Sequence, residues 1–307
     1  MPAFIMKPYW SQPYAAAAYL YAVAFSPDSR LLACGTGAPD QIVLWEIATK
    51  QMIGTLSGHS DHVLALASSP VAALLVSGSA DTTLKLWNLS TRSEQQTLSG
   101  HSEGVTTVAF CPDGHLCTSG SEDKTILLWE TSTGKQLLRL EGHDAAVSCV
   151  AWNPDGQMLA SGDEAGVIKL WEVAAARCTR TFRGHIGMVS AVAFRSDGAL
   201  LVSGGINGGI KLWEIATGHE QTLAGSEEMG IDAIAFHPEG QMLAVGGLYR
   251  HAPVIWLWDL AAKTIVQRLN ETEEHIASIA FSPDGTFLAC GSGGGLGNLI
   301  TLCQRER

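Results

Sequence analysis

Short runs of alternating or continuous apolar residues recur along the whole chain, among them Val105–Phe110, Leu159–Ser161 and Ile168–Trp171. Pro-Asp-Gly, Ser-Gly and Thr-Gly pairs separate them and read as turns, and no helical period persists long enough to compete. The pattern therefore predicts many short strands. Tryptophan marks their period: Trp45, Trp87, Trp129, Trp171 and Trp213 stand 42 residues apart, and Trp258 follows after 45. Segments beginning at Gly58, Gly100, Gly142 and Gly184 align as one repeated unit ending in "LWN" or "LWE". Each unit predicts an antiparallel sheet of about four strands. Such a sheet cannot bury both faces alone, so the units must stack, in a line or in a ring.

Within a unit the markers run Gly-His, Ser-Gly, Asp and Trp, as in Gly58-His59, Ser77-Gly78, Asp81 and Trp87. In register over four units, these markers resemble the WD40 family. The resemblance implies an all-β fold, a seven-bladed WD40-type β-propeller with four antiparallel strands (a to d) per blade. It also implies that histidine, serine, aspartate and tryptophan form a hydrogen-bonded tetrad that staples a blade. The complete set stands at His59, Ser77, Asp81, Trp87 and at His101, Ser119, Asp123, Trp129. The next unit has His143, Ser161 and Trp171 with Ala165 at the aspartate position, and the one after has His185, Ser203 and Trp213 with Asn207 there. These two are expected to be partial tetrads.

Serine, histidine and aspartate are also the raw material of a hydrolytic triad. Repetition decides between the two readings, because an enzyme has no need of identical triads side by side. The hydrogen-bonding inventory fits a staple, since indole donates to a hydroxyl, the hydroxyl to imidazole, and imidazole to a carboxylate.

Six tryptophans count six blades. The tail from Phe281 repeats strands a to c once more, with Cys303 at the tryptophan position. A segment around Phe4–Trp10 then supplies the missing strand d and closes the ring, so that residues 1–307 form one domain. Regularity holds in the second to fifth blades and fails in the sixth, seventh and first. Cys34 and Cys290 occupy serine positions, Glu227 stands near a histidine position, and the b–c turns are lengthened at "GTGAPDQ", "GGLYRHAPV" and "GSGGGLGN".

Composition narrows the function. A net charge of -11, from 30 acidic and 19 basic residues, opposes binding to nucleic acid. Seven cysteines without a CxxC pair suit a reducing, cytoplasmic setting. No apolar run reaches the roughly 18 residues of a membrane helix. The N-terminal stretch is broken by Pro8 and Pro13 and reads as mature chain, so the Asn88 and Asn270 sequons carry no weight. His59 and His62 lie close in sequence, but His59 belongs to a tetrad, and neither a metal nor any other cofactor is expected. The glycine-rich turns lack a phosphate-binding pattern.

The expected function is a non-catalytic scaffold or adaptor that docks a protein on the face carrying the b–c and d–a loops, as part of a larger assembly in one version. The candidate contact residues are Tyr249, Arg250 and His251 with Glu227, Glu228, Glu271, Glu273 and Glu274, because tyrosine and arginine are frequent interface anchors. The alternatives are a reader of a small ligand or modified peptide, or an enzyme at the channel mouth using Asp232, Arg250 or His251.

Overall fold

A computed structural model describes residues 4–14, 19–207, 209–224, 229–250, 252–269, 275–293 and 298–306. Among them every regular element is a strand, arranged as seven four-stranded antiparallel sheets. In six blades the strands follow chain order. The second, for example, runs Val63–Ser68, Leu74–Ser79, Thr83–Asn88 and Ser93–Ser99. The seventh takes Ile276–Phe281, Phe287–Ser292 and Asn298–Arg305 from the C-terminus and Met6–Tyr14 from the N-terminus, so the two ends share one sheet and close the ring. The closing strand is thus longer than its apolar segment and runs beyond Trp10. Met6 is buried, its amide donates to Gln267 of the sixth blade, and Trp10 packs against Trp45 of the first at 5.0 Å.

The core lies between blades rather than within them. One cluster joins Val76, Leu84 and Leu86 of the second blade to Val105, Phe110 and Trp129 of the third, and six similar clusters complete the circle. The middle strands of each blade are buried almost throughout, while outermost strands expose most positions, as Leu74–Ser79 and Ser93–Ser99 show. Each sheet therefore hides its faces only because a neighbour stands on either side.

This packing corrects the reading of Ser-Gly as a turn. Ser77-Gly78, Ser119-Gly120 and Ser161-Gly162 lie inside strand b and are paired to strand c. A Cβ at Gly78 or Gly120 would come 2.6 Å from a γ-carbon of Val105 or Val147 in the next blade. Glycine is needed there because two blades approach too closely for a side chain. Thr133-Gly134 and Thr217-Gly218, by contrast, do turn the chain, with Gly134 at φ +72°. None of the seven cysteines is in a disulfide; six are buried, while Cys178 is exposed.

Strand a of every blade carries a register shift next to its start, the bulge falling at Tyr21, Leu64, Thr106, Ser148, Ser190, Asp232 and Ala277. All seven residues line the central channel, a cavity of about 240 Å³. Because the strands alternate in direction, d–a and b–c connections emerge together at the end where strand a begins.

Candidate interaction face and channel

The tetrads are assembled between the loop before strand a and strands b and c. In the second blade Trp87 Nε1 donates to Ser77 Oγ (2.8 Å), which lies 2.7 Å from His59 Nε2, and His59 Nδ1 lies 2.8 Å from Asp81 Oδ2. The third blade repeats the chain through Trp129, Ser119, His101 and Asp123 at 2.8 to 2.9 Å. An indole nitrogen only donates and a carboxylate only accepts, so the proton order is fixed: serine donates to Nε2 and Nδ1–H donates to aspartate. Burial would raise the Asp81 carboxyl, but hydrogen bonds from Thr83, Ser60 and His59 hold it down at about 2. Asp123 behaves alike, with Thr125, Ser102 and His101 as donors. Burial lowers His59 and His101 despite the adjacent carboxylates. These groups are therefore neutral imidazoles against ionised carboxylates, fully paired and lacking a free nucleophile.

The fourth blade is not partial. Asp163, two residues before Ala165, brings its Oδ2 to 2.6 Å from His143 Nδ1, while His143 Nε2 and Trp171 Nε1 meet at Ser161 Oγ. Residues i and i+2 of a strand face the same side, so Asp163 stands beside Ser161 and reaches the imidazole from the end of strand b. Its Oδ1 also accepts the Ala165 and Val167 amides. The fifth blade does lack the last link. His185 and Trp213 converge on Ser203, but His185 Nδ1 is buried without a partner among the described residues, and Asn207 does not supply one. Burial and then Lys211 push the His185 imidazole down to about 4. In the first and sixth blades Cys34 and Val245 stand at the serine position, and Trp45 Nε1 and Trp258 Nε1 are buried without an acceptor among the described residues.

The sixth blade extends toward the d–a and b–c face. In the sixth, strands Met242–Tyr249 and Ala252–Asp259 continue pairing three steps past Gly246–Ile255, to Tyr249 opposite Ala252. The paired strands thus project past the edge of the regular sheet as a hairpin, and do not open into a loop before Tyr249 and Ala252. Tyr249 is half-buried against Trp256 at 6.2 Å, and the exposed Arg250 guanidinium sits 5.3 Å from its ring. Arg250 adopts φ 51°, as tight hairpin turns require. His251, Glu227, Glu228, Glu271, Glu273 and Glu274, and most of the seventh-blade turn, lie outside the described residues.

Two further groups occupy this face. His62 stacks on Tyr21 at 5.4 Å and lies beside Asp40 and Asp61, the one metal-sized group among the described residues. All three are partly or largely exposed, and their geometry alone assigns no ion. In the channel, Asp232 Oδ1 lies 3.2 Å from His275 Nε2, which raises the histidine through that hydrogen bond. Asp232 was legible as a candidate in sequence. His275 was not, because it matches no repeated marker. Arg250 lies on the hairpin, away from the strand position that carries Asp232.

Closed ring, seven sheets and repeated His-Ser-Asp-Trp chains define a propeller of WD type. A family profile described as "IFT122 first beta-propeller" matches residues 83–293, more than half of the chain, and one described as "WD domain, G-beta repeat" matches 13–46 and 50–88. The chain belongs to the WD-repeat β-propeller family. Its curated relatives include the "Periodic tryptophan protein 2 homolog" of Neurospora crassa, 38% identical over 63 residues, covering 20% of this chain and 7% of that protein. Another is the "WD repeat-containing protein srw1" of Schizosaccharomyces pombe, 44% identical over 46 residues, covering 15% and 8%. The matches span under a tenth of either relative's length. No helix among the described residues is long and apolar enough to cross a membrane.

Proposed function

We propose that the chain is a non-catalytic, cytoplasmic protein-interaction scaffold that docks a partner on the face formed by its d–a and b–c connections, over the sixth, seventh and first blades. The observation that carries this reading is the sixth-blade hairpin, where Tyr249 and Arg250 are held beyond the regular edge of the sheet by three extra strand pairs. Holding an aromatic and a cationic side chain in advance lowers the ordering cost of binding. In sequence His251 follows Arg250 directly, and Glu227, Glu228, Glu273 and Glu274 give the chain before the sixth- and seventh-blade strands an acidic character suited to a partner with basic groups. Membership of a repeat family whose blades carry structural histidines also favours binding over catalysis. Cysteines outside any disulfide support the cytoplasmic setting.

The test compares native-lysate pull-downs by the intact chain and by a Tyr249→Ala, Arg250→Ala, His251→Ala variant that melts at the same temperature. Partners that disappear with the variant place docking on the hairpin. Partners retained at equal recovery refute that placement.

A further inference from the structure

The channel end beneath this face is rich in hydrogen-bond acceptors. At the bulge position of strand a, Thr106 Oγ1 donates to Gly120 O and Val147 O, Ser148 Oγ to Gly162 O and Val189 O, and Ser190 Oγ to Gly204 O and Ile231 O. A carbonyl can only accept, so each hydroxyl's single proton is committed to the wall and its oxygen keeps only lone pairs for the channel. In the sixth blade the same position is Asp232. His275 approaches its Oδ1, whereas Oδ2 is buried and meets no donor among the described residues. Four consecutive blades thus present acceptors, one of them anionic, and neither lysine nor arginine lines the cavity.

We propose that this end of the channel binds an alkylammonium group, held by the Asp232 side chain and the hydroxyl oxygens of Ser190 and Ser148, all of which line the cavity. An ammonium brings three donors on a compact centre, which suits separate acceptors around a ring, whereas a guanidinium requires a planar fork of them. One carboxylate and neutral hydroxyls would be a poor cage for a divalent ion. The amine comes from a lysine side chain of a protein partner or from a free small amine. The lysine source rests on the docking reading above, and the site itself does not.

Isothermal titration of the full chain with n-butylammonium, n-butanol, acetyl-Gly-Lys-Gly-amide and its norleucine counterpart tests the site without any partner. Both amines are expected to bind saturably, with n-butanol and the norleucine peptide at least tenfold weaker. Asp232→Asn is expected to weaken amine binding at least tenfold without lowering the melting temperature. Ala277→Lys, at the adjacent ring position, places an internal ammonium beside Asp232 and is expected to abolish binding should the Asn variant not fold. A lysine peptide at least tenfold tighter than n-butylammonium points to a protein partner, and equal affinity to a small amine. Absence of amine binding, equal binding of the neutral probes, or binding unchanged in the folded variants would overturn the inference, leaving the hairpin pull-down as the separate test of docking.

Discussion

The second to fourth blades and the arc formed by the sixth, seventh and first are built on the same sheet but held by different means. In the former, each blade carries a buried chain from tryptophan to carboxylate that is satisfied at every link. In the latter, the serine is replaced by cysteine or valine, two indole nitrogens have no acceptor among the described residues, and long-range closure takes over, with Met6, Tyr9 and Trp10 packed against the sixth, seventh and first blades. The tetrad is therefore a reinforcement of the propeller and not its condition. An arc relieved of that local pattern can carry longer connections, provided that the ring is locked.

The sharpest way to break this comparison is to remove residues 1–14. Loss of the closing strand exposes the outer edge of the seventh blade and the core shared with its neighbours, and is expected to produce the largest fall in melting temperature, or loss of a cooperative transition in circular dichroism. Asp81→Ala and Asp163→Ala come next. Each is expected to cost about 1.5–3 kcal/mol in a urea titration, the range for hydrogen bonds to a charged group. A change at Ala165 should be nearly neutral beside them. If Asp163→Ala were neutral instead, the fourth blade would be unstapled.

The fifth blade allows the opposite experiment. Asn207→Asp places a carboxylate at the position used in the second and third blades and is expected to stabilise by about 1 kcal/mol. It should also reduce an acid dependence. His185 titrates at about 4 in the fold and near 6.5 when unfolded, so the unfolded chain binds more protons between those values. Its contribution is complete above about pH 6.5 and lost as pH falls toward 4, by roughly 3 kcal/mol at most. Asp81 and Asp123 add losses only further down, toward about pH 2. Urea titrations from pH 7 to 4.5 should show a shallower fall in the variant. Smallest of all, the triple alanine variant of the sixth-blade hairpin should leave stability within about 0.5 kcal/mol, since it touches little of the core.

Much of the fold was legible because each blade is written locally. Apolar alternation gave the strands, the tryptophan period gave the repeats, and the b–c expansion at Gly246–Val254 marked the hairpin. The parts that were not legible involve contacts between segments. Counting fixed offsets from the histidine led to position 165, whereas the carboxylate is supplied from position 163 because two residues along a strand share a face. Ser-Gly looked like turn chemistry, yet the glycine answers to a valine in the next blade.

The sequence by itself determined the number of sheets, the order of their strands and the residues of two complete tetrads, since these follow from short-range patterns repeated in register. Only the tertiary structure decided that the ring-facing bulge residues form one lining, that three hydroxyls there donate to neighbouring walls, and that one Asp232 oxygen is enclosed with no donor among the described residues. Those properties belong to seven strands that are far apart in the chain and meet only because each sheet must cover its neighbour's faces.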